Sequence, residues 1–250
     1  MKFNNKVQFA TAAFCVTAFV GGLAQDKPAD KPAEKPADVA AAPAAEKKDD
    51  AILNWKFEEG KGATVADASG KDNNATLSNE PTWGEGKVKG AIVFDSGKSS
   101  YAAVANVNGF TAGNSAHTIA AWVKVAKLPE TRAWILLFGN EGDGSQHWLI
   151  NSTGETQFGA WGGNQVKPKL EVGAWKHVAV TFDGTTLIGY LDGQQVEKTE
   201  ATFNVQGCPL TVAQTHNGEN GFDGQFDELR IYARALSDKE VADLAKAGAK

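Results

Sequence analysis

Trp175-Lys176-His177-Val178-Ala179-Val180-Thr181-Phe182-Asp183-Gly184, followed by Leu187-Ile188-Gly189-Tyr190-Leu191-Asp192-Gly193, decides the fold of this chain. Each of these short runs ends in Asp-Gly. That pair tolerates the positive φ of a tight hairpin turn. Val196 then begins a further strand, so the stretch predicts consecutive antiparallel strands. Working outward, Thr118-Ile119-Ala120-Ala121-Trp122-Val123-Lys124-Val125 is another partly alternating strand. Ala51-Ile52-Leu53-Asn54-Trp55-Lys56-Phe57 places Leu53, Trp55 and Phe57 on one face, because side chains alternate along a strand. Many short strands at this spacing predict an all-β, two-sheet antiparallel sandwich rather than βαβ units. One helix is expected, at the C-terminus. Ser237-Asp238-Lys239-Glu240 has capping-box spacing, and Val241, Leu244 and Ala245 recur at helical intervals.

The segments before this region read differently. Residues 1–24 carry a basic head at Lys2 and Lys6, an apolar run from Val7 to Val20, and Gly22-Leu23-Ala24 ahead of Gln25. That order predicts a secretory signal peptide. The competing reading, a membrane anchor, is disfavoured by the shortness of the run and by Gln8, Thr11 and Thr17 within it. Residues 25–50 repeat Lys-Pro-Ala-Asp/Glu and then continue in Ala and charge, the composition of a disordered, partly polyproline linker. Residues 51–250 are then the folded domain, exported to the periplasm, the cell envelope or the medium.

Composition excludes some chemistry. The chain holds 25 basic and 30 acidic residues; loss of Lys2 and Lys6 with the leader leaves 23 basic against the same 30. A mildly acidic chain without a basic stripe argues against nucleic acid, whose phosphates supply most of the binding energy. Only Cys15 and Cys208 occur, so the domain can form no internal disulfide. After cleavage no stretch is apolar and long enough to span a bilayer as a helix. His117, His147, His177 and His216 are far apart, and no H-E-x-x-H, Cys-x-x-Cys or G-x-S-x-G spacing is present. Gly97-Lys98-Ser99 has Ile92 where a P-loop needs its first glycine, and reads as a polar turn.

The motifs, in order, resemble the LamG-like jelly-roll domains of the concanavalin A-like lectin/glucanase superfamily. They are Trp55-Lys56-Phe57-Glu58-Glu59-Gly60, Asp67-Ala68-Ser69-Gly70, Gly90-Ala91-Ile92-Val93-Phe94-Asp95, Thr118 to Val123, Trp175 to Gly193, and Gly224-Gln225-Phe226-Asp227-Glu228-Leu229-Arg230-Ile231-Tyr232 with Ala233 to Ser237. The resemblance implies a jelly-roll sandwich. Retaining glucanases of that superfamily carry an E-x-D-x-x-E triplet along one strand, where alternate positions share a face. No such triplet occurs here, so no catalytic residue is assigned.

The resemblance also implies a structural calcium between the early D-x-S-G loop and the closing strand. The matching positions are Asp67, Asn73 and Asp227. The alternative is that Asp67 and Asp72 only build a turn through backbone hydrogen bonds. Sugar recognition combines an aromatic platform with amides and carboxylates from loops. The candidate ligand residues on that pattern are Asn140, Glu141, Asp143, Trp148, Trp161, Asn164 and His216, while Trp122, Trp134 and Trp175 are assigned to the core. The expectation is a secreted, non-catalytic recognition or adhesion module for carbohydrate or a cell-surface polymer. A structural or protein-binding envelope module and an atypical glycoside hydrolase are the alternatives.

Overall fold

The computed structural model describes residues 49–142, 144–215 and 221–248, all within the compact unit Lys47–Lys250. The leader (1–24), residues 25–48 of the linker, Asp143 and His216 lie outside the described residues. Among the described residues there are sixteen strands, one α-helix and a short 3-10 turn at Ser96–Lys98. In chain order they begin with β1 (Leu53–Trp55), β2 (Thr64–Val65), β3 (Ala75–Ser78), β4 (Thr82–Glu85), β5 (Gly90–Phe94) and β6 (Tyr101–Val104). The long central strands are β7 (His117–Val125), β8 (Arg132–Phe138), β9 (Gln146–Asn151), β10 (Thr156–Ala160), β11 (Gln165–Val166) and β12 (Trp175–Phe182). The chain closes with β13 (Thr186–Leu191), β14 (Gln194–Glu200), β15 (Leu210–Val212), β16 (Gly224–Tyr232) and α1 (Asp238–Ala247).

Two eight-stranded antiparallel sheets stack face to face. The first runs β14-β13-β12-β7-β16-β5-β4, with β1 also paired to β16; the second runs β11-β10-β9-β8-β15-β6-β3-β2. This is a jelly-roll sandwich. The predicted hairpins are present: β12 pairs with β13 and β13 with β14. Gly184 takes φ 105° and the Asp192-Gly193 pair φ 50° and 78°, the left-handed geometry that tight turns require.

The interior is filled by alternate residues of both sheets. Leu53, Trp55 and Phe57 are all fully buried, as their shared face requires, and they join Ile119, Val123, Val178, Val180 and Phe226 in one cluster. Burying each such side chain contributes ~1.5–3 kcal/mol, which allows the fold to stand without a disulfide. Cys208 is a buried free thiol.

The helix covers the outer face of the first sheet. Ser237 accepts from the Glu240 amide while Glu240 reaches back to the Ser237 amide, completing the capping box. Val241 packs with Ala120, Ala179, Tyr190, Tyr232 and Leu236, and the Tyr190 hydroxyl donates to Asp238 Oδ1 at 2.7 Å. Arg234 clamps both ends of this layer, donating to Asp50 and to Glu240. Among the described residues no helix packs on the outer face of the second sheet, and there the side chains are of a different kind.

Candidate binding groove

A β-bulge builds this face. In β8 the register against β9 shifts between Trp134 and Leu136. The extra residue breaks the alternation, so Ile135 and Leu136 both turn into the core while Trp134 and Leu137 both turn outward. The cross-strand partners of those two, Leu149 and His147, point the same way. Trp161, just beyond β10, packs onto the cluster of Trp134, Leu137 and Leu149. Its ring stacks on Trp134 with centroids 5.1 Å apart and planes 28° from parallel. The His147 imidazole stands edge-on to both indoles, at 6.1 and 5.9 Å.

Around these rings lies a shallow groove of about 170 Å³, edged by Arg132, Gln157 and Gln165. It adjoins a second lobe of about 290 Å³ that shares Arg132, Leu149 and Gln157 and continues to Asn151. Together the lobes approach the size of small-ligand sites, ~300–1,000 Å³. The mixture is also that of a ligand site: an aromatic floor with a few polar groups at defined places. Gln165 Nε2 lies 3.2 Å from His147 Nε2. An amide nitrogen only donates, so His147 Nε2 accepts and the ring proton sits on Nδ1. Nδ1 is buried and has no hydrogen-bond partner. Burial, and then the Arg132 guanidinium, push the His147 imidazole down to about 4, so it is neutral near pH 7.

The loop residues expected to bind ligand meet this groove unevenly. Trp161 forms its floor. The turns that carry Gly144 and Trp161 are drawn together at one end of the sheet: Gly144 N–H donates to the Trp161 carbonyl and Trp161 N–H to the Ser145 carbonyl. Asn140 and Glu141 are exposed on the first of these turns. Asn164, exposed on the second, donates through Nδ2 to the Glu200 carbonyl. Trp148 does not belong to the groove. It is 1% exposed and stacks on Phe158 in the core, centroids 4.8 Å apart, because its parity in β9 sends it inward and its neighbour His147 outward. Trp134 is corrected in the opposite sense: it is 4% exposed, yet it belongs to the outer cluster rather than the sandwich interior. Trp122 likewise lies on the outer face of the first sheet, beneath Lys87, and Trp175 is only half-buried. Arg132, His147, Gln157 and Gln165 were missed. Only the strand parity set by the bulge could have found them.

At the expected calcium positions the side chains of Asp67 and Asn73 are taken up by hydrogen bonds. Asp67 Oδ1 accepts the Asn54 and Ser69 amides at 2.9 and 3.0 Å. Its Oδ2 accepts the Ser69 hydroxyl and the Asn73 amide at 2.6 and 3.0 Å. Each oxygen already has two hydrogens aimed at it, where a cation would need the lone pairs. Burial raises this carboxyl, but the donors of Ser69, Asn54 and Asn73 outweigh it and hold it below the ordinary value. Asn73 is equally engaged, its Oδ1 accepting the Asn108 amide and its Nδ2 donating to the Ile52 and Asn108 carbonyls. Asp227 sits opposite Trp122 on the outer face of the first sheet, and its Oδ2 accepts the Val88 amide. Among the described residues no hydrogen bond joins Asp227 to Asp67 or Asn73, and no three His, Cys, Asp or Glu side chains converge on one point.

The model of the concanavalin A-like lectin/glucanases superfamily matches residues 95–242. The chain belongs to this superfamily. No curated protein matches it. Among solved structures of the superfamily's fold, it is similar to domain 4 of AbnA, an extracellular GH43 arabinanase from Geobacillus stearothermophilus, solved with arabinotriose. The TM-score is 0.62 at 19% identity, covering 78% of this chain and 98% of that one. The binding domain of Paraclostridial Mosquitocidal Protein 1 aligns at TM-score 0.62 and 18% identity, over 78% of this chain and 52% of that one. Trypanosoma rangeli sialidase aligns at 0.61 and 16%, over 78% and 33%. The chain thus spans about half and a third of the last two. At these identities the likeness shows the fold alone. Among the described residues no helix is long and apolar enough to cross a membrane.

Proposed function

We propose that this chain is an exported, non-catalytic glycan-binding module, and that the saccharide lies along the outer face of the second sheet. The observation that carries the reading is the Trp161–Trp134 stack, a flat apolar surface set among Arg132, His147, Gln157 and Gln165. A sugar ring offers an apolar face to such a platform and hydroxyls to the polar groups around it. Support for the non-catalytic part comes from the lining. Glycoside hydrolysis needs a pair of carboxyl groups flanking the bond, and no Asp or Glu is among the described residues lining either lobe. Support for export comes from the basic-apolar-small order of residues 1–24. The arabinotriose complex of the arabinanase domain supports the ligand class. A glycan array probed with the full chain and with Trp161→Ala tests the reading. The expected result is binding by the former that the latter loses; binding that survives the substitution, or none at all, defeats it.

A further inference from the structure

We infer that the glycan held in this groove is anionic, carrying a carboxylate or sulfate that pairs with Arg132. This rests on the glycan-binding reading above and adds the charge of the ligand.

The sequence has three arginines: Arg132, Arg230 and Arg234. Two are committed within the fold. Arg230 pairs with Glu228 and Asp49, and Arg234 with Asp50 and Glu240. Arg132, exposed at the start of β8 on the rim shared by both lobes, has no ion pair among the described residues. The lining compounds this. The protein is acidic overall, with 30 carboxylate residues against 25 cations, yet the described lining contains neither Asp nor Glu. The acids nearest in sequence, Glu130 and Glu155, sit on the turns that flank β8 and β9 rather than in the lining. A guanidinium is a planar fork of donors that matches a carboxylate or sulfate bidentately, and it keeps its charge at every physiological pH.

The remaining polar groups agree. His147 lines the groove as a nearly buried ring held by Gln165, its Nδ1 enclosed by the protein. Gln157 and Gln165 add neutral amides, so the described lining holds one cation and no carboxylate. A neutral sugar would leave that guanidinium covered and unpaired, an arrangement that costs affinity as solvent is excluded.

The test uses matched pairs of probes that share sugars and differ in charge, titrated calorimetrically into the full chain. The pairs are oligogalacturonate and its methyl ester, sialyllactose and lactose, and a sulfated heparin oligosaccharide and its desulfated form. The expected result is that the acidic member of a bound pair binds about 10- to 100-fold tighter, as a charge-assisted hydrogen bond predicts. Raising the salt then reduces that preference. Arg132→Gln brings the acidic member down to the affinity of the neutral one, with melting unchanged because the side chain is exposed, and Arg132→Lys recovers part of the difference. Equal or tighter binding of the neutral members, or a preference that survives Arg132→Gln, overturns the inference and leaves glycan binding standing. Absence of binding to every glycan, charged or neutral, removes both.

Discussion

Trp161 lies over Trp134, 5.1 Å between ring centroids, so that a half-exposed indole is backed by a buried one. The pair is a platform with a fixed base. Trp134 is held by the β8 bulge and by Leu137 and Leu149, and it denies Trp161 the freedom that a lone surface indole would have. Rigid aromatic surface loses little entropy on binding, which is why Trp dominates many recognition sites.

Trp161→Ala is therefore expected to weaken binding of any glycan the protein recognises by about 10-fold or more, the usual effect of losing a central aromatic anchor. Its thermal midpoint should move by only a few degrees, since the ring is half-exposed. Calorimetric titration beside a thermal melt separates the two effects; a large melting shift with intact affinity contradicts the assignment.

Trp148→Ala should do the reverse. The ring is buried against Phe158 and Phe226, and truncating a core Trp costs ~3–5 kcal/mol. Guanidinium unfolding measures this. Any variant population that remains folded should still bind ligand, because the side chain faces away from the groove.

Calcium should leave stability unchanged. The four donors on Asp67 already take both carboxylate oxygens. Melts in EDTA and after addition of calcium are expected to coincide, and a midpoint that rises with calcium counts against this account.

The pH dependence has two opposed parts. Burial first, offset in part by Asp192 and reinforced by Arg230, lowers the His177 imidazole to about 4, and His147 is at a similar value. His117 is lowered too, by burial. These rings take up protons on unfolding, so they lose stability for the fold as pH falls from about 6.5 toward 4. Asp227 has the opposite sign. Burial raises its carboxyl to about 6, so the folded form binds a proton more readily than the unfolded chain, and the resulting penalty is complete only above pH 6. Asp227→Asn should raise the thermal midpoint at pH 7.5, leave it unchanged near pH 4, and so steepen the loss of stability on acidification. A variant that is less stable than the parent at pH 7.5 contradicts this.

The fold was legible because its signals are local. Asp183-Gly184 and Asp192-Gly193 can hardly be anything but turns between apolar runs, and Ser237 with Glu240 marks a helix start by itself. Leu53, Trp55 and Phe57 needed only the two-residue period. The groove was half legible. Trp161 stands beside Gly162-Gly163, where an aromatic next to a turn suggests a surface, whereas choosing between His147 and Trp148 needs the phase of β9 against the core. That phase is set by β8, whose bulge at Trp134–Leu136 leaves no mark in composition. Asp67 was ambiguous for a related reason: a turn-forming aspartate and a calcium-binding one use the same lone pairs, and the sequence does not show where the Asn54, Ser69 and Asn73 amides lie.

The Arg234 clamp has a mechanical consequence. Asp50 is tied to Arg234 beside α1, and β1 follows at once in antiparallel register with β16. Tension arriving at Asp50 therefore enters through β1 and the first sheet, while the Trp161 platform belongs to the opposite layer. Pulling on the domain at Asp50 would load the β1–β16 ladder before the strands that carry Trp134 and Trp161, so the platform is insulated from that force.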